Sequence, residues 1–155
     1  MEQQLVISES FNKNKQYERG SHHVGVSMYH FEWCTKYRYK AFRKWKYKKM
    51  MEACIRQVAF RHGIKFMELE VEPDHVHGTV ILPMTMAPAK AKQLLKGGSA
   101  FIFFKNCSNM RKRYPRGNLW SRGSFVSSIG FIQVDQANEY VKNQSKHHET
   151  VWIMD

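Results

Sequence analysis

The fold is decided by residues 67–82, MELEVEPDHVHGTVIL. In this stretch Met67, Leu69 and Val71 alternate with three glutamates, which predicts a strand with one apolar and one polar face. The Pro73-Asp74 pair is a turn signal, and the alternation resumes from His75 to Leu82. The stretch therefore predicts a β-hairpin of two antiparallel strands.

The sequence on either side of this hairpin supplies the other predicted elements. The sequence predicts an alternating strand at 24–34 and a helix at 46–62 that is capped by Gly63. It also predicts a helix at 88–104, which starts near Pro88 and loosens at Gly97-Gly98, a short strand at 124–129 and a last helix at 135–145. The order β-α-β-β-α-β plus one helix indicates an α+β, ferredoxin-like fold. Such a split β-α-β fold has an antiparallel sheet with two helices on one face, and the last helix is available to cover the other.

Length and charge limit the possible functions. The chain has 155 residues, which suits one domain over residues 21–155, preceded by a polar, aperiodic arm at 1–20. Lys and Arg exceed Asp and Glu by 25 − 13 = 12, so the protein attracts polyanions, above all nucleic acid. Residues 1–14 contain no apolar signal core and no run is long enough to span a membrane, so we expect a cytoplasmic protein without a membrane partner.

The two histidines of the second hairpin strand form the sharpest local pattern. Because side chains at i and i+2 of a strand share a face, His75 and His77 can reach one cation together. Val76 and Val80 occupy the opposite face and suit packing under the two helices, so the histidines project from the other face. An HxH pattern alone leaves two readings open, a metal site or two histidines on a half-exposed strand.

The last helix carries a second pattern, formed by Tyr140 and Gln144. These residues are four apart and therefore lie on one helix face, where a tyrosine more often serves packing than catalysis. If this helix covers the histidine face, Gln144 could offer an oxygen to the metal while Tyr140 points at the bound ligand. That arrangement suits phosphoryl transfer, with a tyrosine nucleophile beside Mg²⁺ or Mn²⁺.

A basic and aromatic run follows the first strand. Residues 36–49, KYRYKAFRKWKYKK, include eight basic and five aromatic side chains among fourteen. Cations neutralise phosphates and aromatic faces stack on unpaired bases, so the run favours contact with single-stranded nucleic acid. A solvated helix start with its aromatics in the core is the alternative. A second basic zone lies at 105–122.

Four motifs together resemble those of the small HUH transposases of bacterial and archaeal insertion sequences, the IS200-like family. The motifs are WCTKYR at 33–38, PDHVH at 73–77, LWS followed by SF at 119–125, and YVKNQ at 140–144. They occur in the family's order over about residues 24–144, although each alone is unspecific. Related HUH proteins from repeat-associated loci share the same motifs.

The resemblance implies a DNA transposase that cleaves and rejoins single-stranded DNA through a 5′-phosphotyrosine intermediate. It implies His75, His77 and Gln144 as metal ligands, Tyr140 as the nucleophile, hairpins near the element ends as the recognised DNA, and a homodimer whose active sites can be shared between chains. We predict that the first strand joins its copy at the dimer interface. The predicted DNA-binding residues are Lys36, Arg38, Lys40, Arg43, Lys44, Lys46, Arg111 and Arg113.

Two alternatives to this enzyme remain. A replication-initiator-type HUH nickase would use the same metal and tyrosine chemistry, but the order of the motifs disfavours it. A non-catalytic single-stranded nucleic-acid-binding module of ferredoxin-like fold would explain the charge and the aromatics. It would leave the histidine pair and the pair of Tyr140 and Gln144 without a role.

Overall fold

The computed structural model describes residues 18–19, 24–25, 27–130 and 134–147, and it has a mixed α+β architecture. The strands are β1 (Glu18–Arg19), β2 (Val24–Gly25), β3 (Met28–Cys34), β4 (Lys65–Val71), β5 (His75–Ile81) and β6 (Phe125–Ser128). The helices are α1 (Trp45–Arg61), α2 (Pro88–Asn106), the short α3 (Ser108–Arg111) and α4 (Val134–His147). The main sheet is antiparallel in the order β4-β5-β3-β6, which confirms the predicted ferredoxin-like arrangement.

The predicted hairpin is present as β4 and β5. Its register pairs Glu70 with His77, and the Glu72 backbone N–H donates to the His75 carbonyl at 2.8 Å to close the turn. Gly78 lies opposite a bulge in β4, where a Cβ atom would come within 2.7 Å of the Glu68 carbonyl oxygen. The bulge therefore requires glycine at position 78.

The core lies between one face of the sheet and the helices α1 and α2. Val76 and Val80 of β5 are fully buried there, as the alternation predicted. The other fully buried apolar side chains include Phe31, Phe42, Met51, Ile55, Val71, Leu82, Leu95 and Phe103. Because this face is filled, the remaining side chains of β3 and β5 project from the opposite face of the sheet.

The predicted first strand differs from the observed one in two respects. The stretch predicted as one strand is divided, because β2 pairs with β1 whereas only β3 enters the main sheet. The strand was also expected at an open edge, and that prediction is wrong, since β3 lies between β5 and β6. A strand with apolar side chains on both faces suits a central position, and the edges are β4 and β6. The predicted loose arm contains β1, and residues 1–17 lie outside the described residues.

The helix α2 continues without a break from Pro88 to Asn106, through the Gly97-Gly98 pair at which the sequence predicted a loosening. The two glycines have different surroundings, because a Cβ atom at Gly98 would lie 2.8 Å from Val58 of α1 and one at Gly97 would meet nothing within 4 Å. Gly98 thus permits the close approach of α1 and α2, while Gly97 is exposed.

This difference predicts opposite effects for the same substitution. We expect Gly98→Ala to lower the free energy of unfolding by about 1–3 kcal/mol through overpacking. Gly97→Ala should raise it by about 0.5–1 kcal/mol, because alanine is the better helix former. Urea unfolding of both variants and the unaltered chain measures the effects. Equal shifts of the same sign would show that the helix contact at Gly98 is loose.

Candidate active site

The predicted histidine pair lies on the open face of the sheet. The ring centroids of His75 and His77 are 5.5 Å apart with the rings inclined by 30°. The His77 side chain is fully buried, and neither of its ring nitrogens has a hydrogen-bond partner within the described part of the chain. Buried polar groups normally find partners, so an imidazole in this state is suited to bind a ligand.

The two histidines have different carboxylate neighbours. The Asp74 Oδ1 atom lies 2.8 Å from His75 Nδ1, which favours the tautomer with hydrogen on Nδ1 and the lone pair on Nε2. The Arg38 guanidinium lies 3.8 Å from the second oxygen of Asp74. The buried Glu72 carboxyl lies 4.0 Å from His77 Nε2. The turn of the hairpin thus supplies one carboxylate that orients His75 and a second carboxyl that lies near His77 without a hydrogen bond to it.

The C-terminal helix α4 lies across this open face, as predicted. The Thr79 hydroxyl of β5 donates to the Asn138 side-chain oxygen at 2.5 Å, and Lys142 forms an ion pair of 3.1 Å with Glu68 of β4. Val141 is buried against the sheet. An apolar anchor and two polar contacts therefore fix the helix on the sheet of its own chain.

This docking brings Tyr140 to the histidine face. The Tyr140 side chain is 55% exposed, and its ring meets His30 edge to face at a centroid distance of 5.9 Å. His30 lies in turn 6.4 Å from the His77 ring and 5.8 Å from the Phe125 ring. The Tyr140 ring, which carries the hydroxyl, is therefore half exposed to solvent and lies at the end of a row formed by the imidazoles of His30, His77 and His75.

His30 is a member of the site that the sequence did not reveal. Its Nε2 atom is buried and has no hydrogen-bond partner among the described residues. Burial, and after it the neighbouring His77, lowers the pKa of the His30 imidazole below its ordinary value, so the ring is neutral at pH 7. Strand alternation places the side chains of His30 and Phe31 on opposite faces of β3, but only the order of the strands in the sheet reveals that His30 adjoins His77.

An open cleft of about 270 Å³ separates β6 from α4 beside the tyrosine. Its lining includes His30, Ser127, Ser128, Gln136 and Tyr140. Ile129 and Ala137 complete the lining, so polar and apolar groups share this cleft beside Tyr140.

The third predicted metal ligand, Gln144, lies one turn after Tyr140 in α4. Its side chain is outside the described residues. Within the described ranges, no three His, Cys, Asp or Glu side chains are grouped as a metal site.

The predicted DNA-binding side chains are exposed, except for the half-buried Lys36. Arg111 is engaged within the protein, because its guanidinium donates to the Tyr114 carbonyl at 2.5 Å and lies 5.7 Å from the Phe104 ring centroid. The aromatic side chains of the run 36–49 support both earlier interpretations. Phe42 is buried in the core, whereas Tyr37 is exposed and can contact nucleic acid. None of the helices described is long and apolar enough to cross a membrane.

Comparison with known proteins connects this geometry to one family. The family model described as "Transposase IS200 like" matches residues 23–144. The chain is 26% identical over 127 residues to the ISDra2 transposase TnpA of Deinococcus radiodurans, a match that covers 82% of this chain and 90% of that protein. It is 25% identical over 116 residues to the transposase for insertion sequence element IS200 of Salmonella typhimurium, with 75% of each chain covered.

Solved structures show the same architecture. A crystal structure described as that of a transposase from Deinococcus radiodurans superposes with a TM-score of 0.67 at 27% identity, covering 82% of this chain and 97% of the other. The REP-associated tyrosine transposase bound to a REP hairpin superposes with a TM-score of 0.63 at 16% identity, covering 86% of this chain and 75% of the other. The second likeness concerns the fold alone.

Proposed function

Because the chain belongs to the IS200-like transposase family and is therefore a DNA strand transferase, we propose that it cleaves and rejoins single-stranded DNA with Tyr140 as its nucleophile. The observation that carries this proposal is the docking of α4, which holds Tyr140 beside His30 and over the face of His75 and His77. No other exposed tyrosine of the described residues lies against an imidazole.

A divalent metal ion fits the residues of this face. His77 offers two buried ring nitrogens without hydrogen-bond partners, and Asp74 orients His75 in the tautomer that a metal ligand requires. The Gln144 amide would be the third ligand, one helical turn from Tyr140. When bound, Mg²⁺ or Mn²⁺ would neutralise charge that develops on the oxygens of the scissile phosphate. Two imidazoles and one amide oxygen suit Mn²⁺ by ligand type and Mg²⁺ by its availability.

The cleavage step transfers a phosphoryl group from DNA to the tyrosine. The Tyr140 oxygen forms a bond to phosphorus and loses its proton, while the bond from phosphorus to the 3′ oxygen breaks and the leaving oxygen takes up a proton as a 3′-hydroxyl. The product is a 5′-phosphotyrosine, which retains a phosphodiester bond. Attack by another 3′-hydroxyl reverses the step, so strands are rejoined without ATP. By this exchange the enzyme excises and inserts an insertion sequence.

The surrounding residues of this chain position the nucleophile. The hydrogen bond between Thr79 and Asn138 and the ion pair between Lys142 and Glu68 fix the rotation of α4 about its axis. The neutral His30 ring contacts the Tyr140 ring and limits its rotamers. Catalysis by approach and orientation depends on such contacts, since a displacement of about 1 Å costs on the order of a hundredfold in rate.

The proposed DNA substrate carries hairpins near the ends of the element. Support comes from the net charge of +12 and from the hairpin bound to a protein of the same fold. The run 36–49 contacts the turn that leads to His75, because Arg38 pairs with Asp74 and the Phe42 backbone N–H donates to the Pro73 carbonyl at 3.0 Å. We also propose a homodimer, in which strand pairing would have to use β4 or β6, the two edges of the main sheet. The predicted cytoplasmic location accords with a DNA substrate.

A covalent adduct distinguishes this enzyme from a non-catalytic binding module. We expect the protein to form a covalent adduct with single-stranded oligonucleotides labelled at the 5′ or the 3′ end. Only the 3′ label should stay with the protein, because Tyr140 becomes joined to the 5′ phosphate of the downstream fragment. The adduct should resist boiling in detergent, require Mg²⁺ or Mn²⁺ and be lost in EDTA. Tight binding without any adduct, across oligonucleotides that contain the flanking sequence of the gene, would favour the binding module.

A further inference from the structure

The turn between β3 and α1 contains two consecutive non-glycine residues with a left-handed backbone. Tyr37 has φ 62° and Arg38 has φ 54°. Side chains other than glycine, asparagine and aspartate rarely adopt this conformation, because Cβ approaches the backbone oxygens. A backbone of this kind persists only where its surroundings hold it, and it often occurs at binding sites.

Thr35 is the residue that holds this turn. Its backbone N–H and its hydroxyl donate to the Asp74 carbonyl at 2.9 and 3.1 Å, and the hydroxyl also reaches the Tyr39 carbonyl at 2.7 Å. The Lys36 backbone N–H donates to the Leu119 carbonyl at 2.8 Å. The turn is therefore fixed to the tip of the hairpin that carries the histidine pair.

The strained backbone turns Tyr37 outward, at the end of a ladder of rings. The centroids of Tyr37 and Tyr39 are 5.2 Å apart, those of Tyr39 and Tyr114 are 5.7 Å apart, and those of Tyr114 and Phe104 are 5.8 Å apart. Tyr114 is buried and Phe104 packs against the core, so the ladder is anchored in the protein. The Tyr37 side chain at its outer end is 61% exposed.

Cations flank the outer rings of this ladder. The Lys36 ammonium lies 5.5 Å from the Tyr37 centroid, and the Arg113 guanidinium lies 5.7 Å from the Tyr39 centroid. Arg38 extends from the same turn and contacts Asp74, the residue that orients His75. The outer rings thus form a fixed aromatic surface between positive charges, close to the face that carries His75 and His77. Such a surface suits a nucleobase that stacks on the ring while the phosphates on either side of it contact the cations.

We propose that Tyr37 is a stacking platform for one unpaired nucleobase of the bound DNA strand. This inference rests on the proposed function and specifies where the strand is held on its path to Tyr140. Lys36, Arg38 and Arg113 bind the phosphates beside that base. Stacking suits an unpaired base because a duplex covers both of its faces, and it tolerates any base because each has a π face.

The test compares a variant that removes the ring with one that retains it. Asparagine adopts a left-handed backbone readily, so Tyr37→Asn removes the ring and leaves the turn intact. Tyr37→Phe keeps the ring, and Phe60→Ala removes an aromatic side chain that is 90% exposed on α1. Affinity for a labelled oligonucleotide with one hairpin and an unpaired flank is measured in EDTA, so that no cleavage occurs.

We expect Tyr37→Asn to weaken binding about 5- to 150-fold, which is the range measured for loss of one stacked base. Tyr37→Phe and Phe60→Ala should bind as the unaltered protein does. The salt dependence of Tyr37→Asn should keep its slope, because no phosphate contact is lost, whereas Arg38→Gln should flatten the slope by about one unit.

An abasic scan of the oligonucleotide identifies the stacked base. At one position, removal of the base should weaken binding to the unaltered protein and leave binding to Tyr37→Asn unchanged. A merely structural role of Tyr37 predicts additive losses at every position and would overturn the inference, as would equal affinity of Tyr37→Asn and the unaltered protein. If the unaltered protein fails to bind the oligonucleotide at all, the proposed function fails together with this inference.

Discussion

We expect Tyr140→Phe to reduce the covalent protein–DNA adduct by at least about a thousandfold, because the substitution removes the atom that we propose attacks phosphorus. The ring remains, and with it the contact to His30 at 5.9 Å, so α4 keeps its place on the sheet. We therefore expect the free energy of unfolding and the affinity for the oligonucleotide to stay near those of the unaltered protein. The adduct is measured by its migration in a denaturing gel, with Mn²⁺ present.

Tyr47→Phe is the matched control for this experiment. It removes the hydroxyl of a half-buried tyrosine on α1, which packs against the core and is not part of the histidine face. This variant should form the adduct at the rate of the unaltered protein. If Tyr140→Phe formed as much adduct as the unaltered protein, the nucleophile would be another residue and the assignment of α4 as the catalytic helix would be wrong.

The sequence predicted those features of the fold that depend on local patterns. Alternation over 67–82 predicted the hairpin and the outward face of His75 and His77, and helical spacing predicted α1 to within one residue at each end. The helix predicted over 135–145 is present as α4, and the need to cover the open face predicted where it packs. These signals are local because strand and helix periods are properties of short segments.

Features that depend on strand order and side-chain contacts could not be predicted in the same way. His30 lies next to His77 and Tyr140 because β3 pairs with β5 at the centre of the sheet, and the pattern of a strand does not reveal which other strand will pair with it. The sequence predicted Arg111 to bind DNA, yet its guanidinium donates a hydrogen bond to the Tyr114 carbonyl. The outward turn of Tyr37 depends on a left-handed backbone that no glycine signals.

Whether each active site takes Tyr140 from its own chain or from a partner chain can be tested directly. In this structure α4 contacts the sheet of its own chain through Thr79 and Asn138, through Lys142 and Glu68, and through the buried Val141. For a partner's helix to replace it, all of these contacts would have to break and be remade between chains. We therefore expect the tyrosine and the histidine pair of one site to come from the same chain.

Mixing two inactive variants measures this arrangement. Chains with Tyr140→Phe and chains with His75→Ala carry different tags, are produced together and are purified through both tags in turn. If the site is formed within one chain, every site in the mixed protein lacks one part, so no adduct should form with Mn²⁺. If the site is shared, one of the two sites in each mixed dimer is complete and adduct returns, which would contradict the expectation from α4. A doubly tagged dimer of unaltered chains controls for the tags, and urea unfolding verifies that His75→Ala is folded. If no doubly tagged protein can be isolated and the unaltered protein cleaves as a monomer, the tyrosine must act on the face of its own chain.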